Sequence, residues 1–256
     1  MRRIDARAFQ IVALAFLLSA GVLRWHFVID PLQMLLCFSS ALGCQWILGR
    51  WAKKKTFNWM SPWITASSLL LLLKCNALWS HPLAAALAIG SKFVFRWKGK
   101  HFFNPANFAI VICTLLLPCW VSPGQWGREI LLISFTILVG SGVTQRAQTW
   151  WVSLGFLLSF ATLLGARIAY LEYEWTIWLH QLSNGVLLIF AFFMISDPKT
   201  TPRSTQGIFV HGLAVAVLGF FFIFHEYEFN GLLYSLFLLA PTVPLLDRHL
   251  SSRAIG

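Results

Sequence analysis

Long apolar stretches separated by short polar connections recur along the whole chain. An apolar helix needs roughly 20 residues to cross a bilayer, whereas half-helices enclosed by protein can be shorter. We therefore expect an all-α polytopic membrane protein with about ten transmembrane helices, in which the third, fourth, fifth and seventh segments are half-helices or strongly tilted. The ten apolar segments are Phe9–Val28, Leu32–Leu48, Pro62–Leu73, Pro82–Phe95, Pro105–Leu117, Ile130–Val143, Val152–Leu164, Trp178–Ile195, Ile208–Phe224 and Leu232–Leu246.

The composition strengthens this interpretation. Of the 256 residues, 58% are hydrophobic and only 11% are charged, whereas an ordinary soluble domain is about 45–50% apolar and about 25% charged. A water-soluble fold could not hide so much apolar surface or cover itself with so few charges. The same numbers exclude the disordered, collagen-like and disulfide-stapled classes of protein.

The net charge of +11 raises the question of a nucleic-acid partner, and the distribution of the charges answers it. With the N-terminus inside, fifteen of the twenty lysines and arginines fall on the inner side, four fall outside, and six of the nine acids fall outside. Basic residues in short loops mark the cytoplasmic side of a membrane. We therefore expect a multi-pass protein of the bacterial inner membrane with both termini cytoplasmic, surrounded by lipid and binding no nucleic acid.

The ten segments divide into five and five, which suggests two related halves of one membrane domain. The single domain would span residues 1–256, with approximate halves 1–125 and 126–256. An odd number of spans in each half would give the halves opposite topologies, and such inverted repeats bring broken helices together near the bilayer midplane. We therefore predict two inverted five-helix halves.

Two polar, proline-containing stretches on the inner side are the candidate binding sites. Asn104 precedes Pro105, and Asp197 precedes Pro198. A residue before proline is pushed out of the helical region, and proline suits the first helical turn, so both polar residues are predicted to cap a helix start. Free N–H groups there attract anions. The alternative, ordinary capped helix ends without a ligand, stays open. The candidate residues are Asn104, Pro105, Asn107, Asp197, Pro198, Thr200 and Thr201, with Lys92 and Lys100 as anion partners.

The same two stretches carry a family resemblance. Residues 103–107, Phe-Asn-Pro-Ala-Asn, follow a Gly-Lys pair and resemble the F-N-P-A signature of the RnfD/NqrB membrane subunits. Residues 192–200, Phe-Phe-Met-Ile-Ser-Asp-Pro-Lys-Thr, are similar to a second signature of that family. Those subunits belong to the Rnf complex and the sodium-translocating NADH:quinone oxidoreductase. The resemblance implies ten helices in two halves, as in urea channels, and electron transfer within a larger redox complex.

The resemblance also implies a flavin cofactor. The family carries FMN on a threonine in an S-G-A-T-type motif, and some members hold riboflavin near the inner face. Residues 141–144, Ser-Gly-Val-Thr, match this motif with one substitution, but Thr144 falls at an inner end, whereas the resemblance places the flavin threonine outside. We therefore expect a non-covalent flavin, FMN or riboflavin, or a quinone at the inner polar stretches, with Thr144 as the weaker candidate for covalent FMN.

Other cofactors and other functions have less support in the residues. Haem would need two axial ligands, and His81 with His180 is the one pair to consider, so we do not expect haem. Five cysteines form no C-x-x-C pair, although one bridge between Cys75 and Cys119 stays open. No catalytic residues or metal ligands are evident. The alternative functions are a channel or transporter on the same inverted-repeat scaffold, or a cofactor-free membrane scaffold that docks partner proteins.

Overall fold

The computed structural model describes residues 5–24, 27–54, 56–121 and 130–250, the last range with side chains from residue 133 onward. Its contacts divide the chain into two compact units, Met1–Gln125 and Trp126–Gly256, which we call unit 1 and unit 2 and describe separately. The prediction that they form one membrane domain stays a prediction. The basic start at Arg2 and Arg3 lies outside the described residues.

Unit 1 contains five α-helices and four short strands in its described residues. The strands form two antiparallel two-stranded sheets, β1 with β4 and β2 with β3; the apolar pattern did not predict them. The elements are α1 (Ala6–Arg24), α2 (Pro31–Trp51), α3 (Met60–Leu72), β1 (Leu73–Cys75), α4 (Ser80–Val94), β2 (Arg96–Trp97), β3 (Lys100–His101), α5 (Pro105–Leu116) and β4 (Cys119–Val121).

Unit 2 is helical throughout its described residues. A π-helical turn, Phe190–Met194, extends α9, and a 3₁₀ turn, Ala240–Thr242, separates α11 from α12. The helices are α6 (Ile130–Ala147), α7 (Trp150–Tyr170), α8 (Trp175–Leu182), α9 (Gly185–Ile189), α10 (Thr205–Phe224), α11 (Gly231–Leu239) and α12 (Val243–His249).

Every predicted apolar segment overlaps a helix, but fewer helices than ten are long enough to cross a bilayer alone. Within the described residues, α1, α2, α7 and α10 are long and apolar enough, and a fifth span results if α8 and Gly185–Met194, bent by 49°, count together. The third and fifth segments are short helices of 13 and 12 residues, as predicted. These features fit an all-α, membrane-type fold.

The prediction of a half-helix for the seventh segment was wrong. Helix α7 has 21 residues, because Trp150 and Trp151 at its start and Arg167 to Tyr170 at its end continue the helix. Aromatic and basic residues of this kind mark the boundary of a membrane span rather than the end of the helix. The eighth segment, expected to be one span, is instead broken at residues 183–184, where Asn184 caps α9 by accepting the Val186 N–H at 2.8 Å.

The core of unit 1 is α3, which packs against α1, α2, α4 and α5. All residues from Thr65 to Lys74 are buried. Beyond α3 the chain becomes β1, which pairs with β4 beyond α5, so each short helix is continued by a strand. A disulfide joins Cys75 to Cys119 across the pair, which confirms the bridge that the sequence left open.

The core of unit 2 is the π-helical turn together with its flanking residues. All residues from Leu187 to Ser196 are buried, and α6 and α7 pack against this segment. Helices α7 and α10 lie side by side and approach closely at Gly212, where a Cβ would lie 3.3 Å from the backbone nitrogen of Phe156. The central element of each unit is therefore its third apolar segment, short in unit 1 and broken in unit 2.

Candidate functional site

In unit 1 the predicted cap at the start of α5 is confirmed. Asn104 has extended backbone angles (φ −65°, ψ 123°), and its Oδ1 accepts the N–H of Asn107 at 3.1 Å. Pro105 occupies the first helical turn, where its missing N–H costs nothing. All three side chains are buried, so the signature forms a rigid polar corner inside the unit rather than a solvated loop.

Further polar groups of unit 1 are buried on the helix and strand that flank this corner. Lys92 of α4 is 8% exposed, and its Nζ donates to Ser61 Oγ of α3 at 3.0 Å. His101 of β3 is buried, and its Nδ1 donates to the Phe103 carbonyl at 3.1 Å. Lys100 of β3 is half-buried. Because α4 packs against both α3 and α5, a buried cation lies on the helix next to the capped start of α5.

A cluster of four phenylalanines belongs to the same region and was not predicted. Phe103 of the signature packs on Phe95, Phe102 and Phe108, with ring centroids 4.9–5.3 Å apart. The four rings form an apolar surface at the base of the β2–β3 hairpin. The adjacent pair at positions 102–103 just before Asn-Pro is the sequence signal that could have identified it.

In unit 2 the prediction that Asp197 caps a helix was wrong. Helix α10 begins at Thr205, and its cap is Ser204, whose Oγ accepts the Gly207 N–H at 3.0 Å. A helix starting at Pro198 would reach Pro202, which has no N–H and would clash with the preceding turn. Residues 197–201 form a tight turn instead, in which Asp197 Oδ1 accepts the Lys199 N–H at 2.9 Å.

Hydroxyl groups satisfy the backbone carbonyls around this turn. The π-helical turn shifts the hydrogen bonds of its backbone, and Ser153 of α7 donates to the Ala191 carbonyl at 2.7 Å. Thr201 donates to the carbonyls of Ile195, at 2.9 Å, and Asp197, at 2.8 Å. The longer contact of Thr200 Oγ1 with the Asp197 carbonyl is 3.4 Å. These hydroxyls hold the turn, and their oxygens keep the ability to accept a hydrogen bond from a ligand.

The remaining predicted residues of unit 2 lie apart in character. Pro198 is exposed, as is Lys199. Arg203 anchors the loop to α12, because its backbone N–H donates to Asp247 Oδ1 at 2.7 Å. Thr144, the candidate for covalent FMN, is 1% exposed and its hydroxyl donates to the Ser141 carbonyl at 3.1 Å. This threonine is therefore a buried helix residue.

The histidines differ in burial. His211 of α10 is 1% exposed, and neither ring nitrogen has a hydrogen-bond partner within the described residues. His81 is buried, whereas His180 is exposed, and exposed His225 pairs with Glu226 at 2.9 Å. In the described parts of the chain, no three His, Cys, Asp or Glu side chains are grouped closely enough to hold a metal ion.

The structure thus assembles the predicted residues into two groups, one in each unit. Unit 1 holds Asn104, Pro105 and Asn107 at a capped helix start, with Lys92 and Lys100 on the neighbouring elements. Unit 2 holds Asp197, Pro198, Thr200 and Thr201 in one turn, with Thr144 on α6.

Comparison with known proteins gives these motifs a family. Residues 121–256, just over half of the chain, match the family model described as the NQR2, RnfD, RnfE family. The chain is also 25% identical over 133 residues to the RnfD-type subunit of the ion-translocating oxidoreductase complex of Haemophilus influenzae strain Rd. It is 30% identical over 134 residues to the corresponding subunit from Pectobacterium atrosepticum.

Each match covers 52% of this chain and 36% of the relative, so the aligned stretch is about a third of the length of these curated relatives. The family match covers all of the described part of unit 2, including the turn at Asp197. The first signature, at the start of α5, lies outside it and rests on the residues themselves. With more than half of its length matched, the chain belongs to the NQR2, RnfD, RnfE family.

Proposed function

We propose that the chain is a membrane-embedded electron-transfer subunit that binds a flavin without a covalent bond and works inside a larger redox complex. Membership of the family supports the proposal, as does the name of the relatives, which are subunits of an ion-translocating oxidoreductase complex. Donor and acceptor would come from partner subunits, because the sequence contains no nicotinamide-binding motif. A quinone is the second ligand class that the same site would take.

The observation that carries the proposal is the corner at the start of α5. A buried cation, a capped helix start and a phenylalanine surface are adjacent elements of one unit. A flavin ring needs an apolar surface for its face and positive charge or N–H donors near its pyrimidine edge, where reduction places negative charge. Asn107 and Lys92 would supply the polar side, and Phe103 with its neighbours the apolar side.

The turn at Asp197 is the second proposed contact. Its hydroxyls are fixed by carbonyl acceptors, so their oxygens face any ligand in a fixed position. The ribityl hydroxyls of a flavin are donors that such oxygens would accept, and exposed Lys199 would attract a phosphate, as in FMN. Pro198 would keep the turn rigid.

The non-covalent form is preferred over a bond at Thr144. A covalent phosphoester requires the threonine hydroxyl to be reachable by the flavin phosphate, and Thr144 is buried with its hydroxyl engaged. The covalent site remains the weaker proposal, and acid extraction distinguishes the two forms.

We also propose the topology: ten spans in two inverted halves, in the bacterial inner membrane, with both termini cytoplasmic. The Cys75–Cys119 disulfide supports it, because the proposed topology puts both cysteines outside, and disulfides persist in oxidising compartments. Reporter fusions at the C-terminus test it: cytoplasmic fluorescence is expected, and periplasmic phosphatase activity would contradict it.

The test of the cofactor is a visible spectrum of the full chain, purified with its native complex, followed by acid extraction. Flavin absorbance that leaves with the acid supernatant is expected. Asn104→Ala should lower flavin content, whereas Asn184→Ala, which removes an equivalent asparagine cap at α9, should not. A flavin-free, quinone-free preparation would favour the cofactor-free scaffold, and redox-independent solute flux in proteoliposomes would favour the channel or transporter.

A further inference from the structure

A cavity of about 420 Å³ lies in unit 1 beside the disulfide-linked strands and belongs to neither group of site residues. We call it the β1–β4 pocket. It lies between the start of α2, strand β1, the start of α4 and the exposed face of β4. Its polar lining includes Asp30, Gln33, Lys74, Asn76 and His81. The proposed topology places this end of unit 1 outside.

Lys74 is the charge at the centre of the pocket wall. It is 9% exposed, and its Nζ lies 3.4 Å from the carbonyl oxygens of Val28 and Leu70. Both distances are at the long end of the hydrogen-bond range. Within the described residues, no carboxylate oxygen lies within 4.0 Å of this ammonium group. A buried cation is stable only when it is paired and hydrogen-bonded, so Lys74 is set up for an anion.

Asp30 does not neutralise the lysine. Its Oδ1 caps α2 by accepting the N–H groups of Leu32, at 2.7 Å, and Gln33, at 3.3 Å. The start of α4 adds positive potential, because its cap residue Trp79 contributes no side-chain hydrogen bond to the free N–H groups. The field in the pocket therefore favours a negatively charged ligand.

His81 adds a second requirement on the ligand. The side chain is 2% exposed, and its Nε2 lies 3.1 Å from the Leu73 carbonyl, so the Nε2–H donates there. In the neutral ring Nδ1 is then an acceptor, and within the described residues it has no partner. The ligand that completes this wall carries a hydroxyl donor as well as an anionic oxygen.

The rim of the pocket is apolar and exposed. Val28, Leu78 and Trp120 line the pocket, and they are 87%, 43% and 46% exposed. Exposed tryptophan is typical of the membrane–water boundary. A ligand whose anionic head is attached to an acyl chain would cover these side chains.

We propose that the β1–β4 pocket binds a phosphate group that carries a hydroxyl, as in the headgroup of phosphatidylglycerol or in inorganic phosphate. A phosphate oxygen accepts from Lys74 Nζ, and the hydroxyl donates to His81 Nδ1. The Cys75–Cys119 disulfide keeps the wall in place, because it fixes β1, which carries Lys74, to β4, which carries Trp120. The proposal does not depend on the flavin.

Ligand-induced stabilisation of the full chain in detergent tests the proposal. The thermal unfolding midpoint is followed during titration with inorganic phosphate against sodium chloride of equal ionic strength, and with short-chain phosphatidylglycerol against phosphatidylcholine. We expect phosphate or phosphatidylglycerol to raise the midpoint of the native protein. Lys74→Met should weaken the effect about 10- to 100-fold, as for the loss of a hydrogen bond to a charged group, and Lys74→Arg should retain it.

Controls separate binding from folding and show the source of the phosphate. Arg24→Gln removes an exposed cation at the end of α1 and should titrate like the native protein. A count of three free thiols in unfolded Lys74→Met, from Cys37, Cys44 and Cys113, shows that its disulfide has formed. A response to inorganic phosphate supports a free anion, and a response to phosphatidylglycerol alone supports a lipid headgroup. Equal responses of native protein and Lys74→Met, or none at all, overturn the proposal.

Discussion

The close contact between α6 and the π-helical turn gives the sharpest prediction. At Gly140 an added Cβ would lie 2.6 Å from Cγ and 2.7 Å from Cβ of Phe192, whereas ordinary contact begins at 3.4 Å. Because the Cβ of Phe192 is itself involved, a change of rotamer cannot relieve the clash, and the buried backbone of the turn must shift. Gly140→Ala is therefore expected to strain the segment that leads into Ser196 and Asp197.

The magnitude follows from two opposing effects. Overpacking of a well-packed core costs about 1–3 kcal/mol, and replacing glycine by alanine within a helix returns about 0.5–1 kcal/mol. The expected net loss is about 1–2 kcal/mol, a factor of about 5–30 in the folded-to-unfolded ratio. Flavin content should fall as well, because the displaced turn carries the proposed contacts.

Denaturant unfolding of the purified full chain in detergent measures this loss. The matched control is Gly43→Ala in α2, where nothing lies within 4 Å of the added Cβ, so that its stability should be unchanged or slightly higher. If Gly140→Ala is as stable as Gly43→Ala and keeps its flavin, the reasoning about the packing of α6 on the turn is refuted.

Three further predictions concern single contacts. Ser153→Ala leaves the buried Ala191 carbonyl without its hydroxyl donor and should lower the free energy of unfolding by about 1–3 kcal/mol; an unchanged unfolding curve would contradict this. Cys119→Ser opens a bridge across 44 residues and should cost about 2–4 kcal/mol, with reductant producing the same loss in the native protein but not in the variant. Asn104→Ala should cost about 1 kcal/mol through the lost cap, and its flavin loss should exceed that of the equally destabilised Asn184→Ala.

The sequence predicted the helices well, because apolar length and proline position are local signals. The start of α5 followed directly from Asn104 before Pro105, and both the short helix and its cap are present. The same reasoning failed at Asp197, because Pro202, five residues further along, forbids the helix that Pro198 would begin. The end of α7 was also misplaced, since Arg167 was counted as loop.

Features that depend on distant residues were beyond the sequence. The pairing of β1 with β4 brings Cys75 to Cys119, and neither three-residue strand has enough length to show a period of two. The bond from Ser153 to the Ala191 carbonyl depends on the π-helical turn, which shows no local sequence signal. The pocket at Lys74 likewise requires the start of α2, the start of α4 and β4 to meet.

The central claim is that the chain carries a flavin, and one spectrum tests it most directly. The full chain, purified with its native complex from its own membranes, is scanned between the near ultraviolet and the visible and then precipitated with acid. The account predicts a stoichiometric flavin spectrum that moves into the supernatant, with a reduced yield for Asn104→Ala but not for Asn184→Ala. A colourless preparation without flavin in either fraction would contradict it.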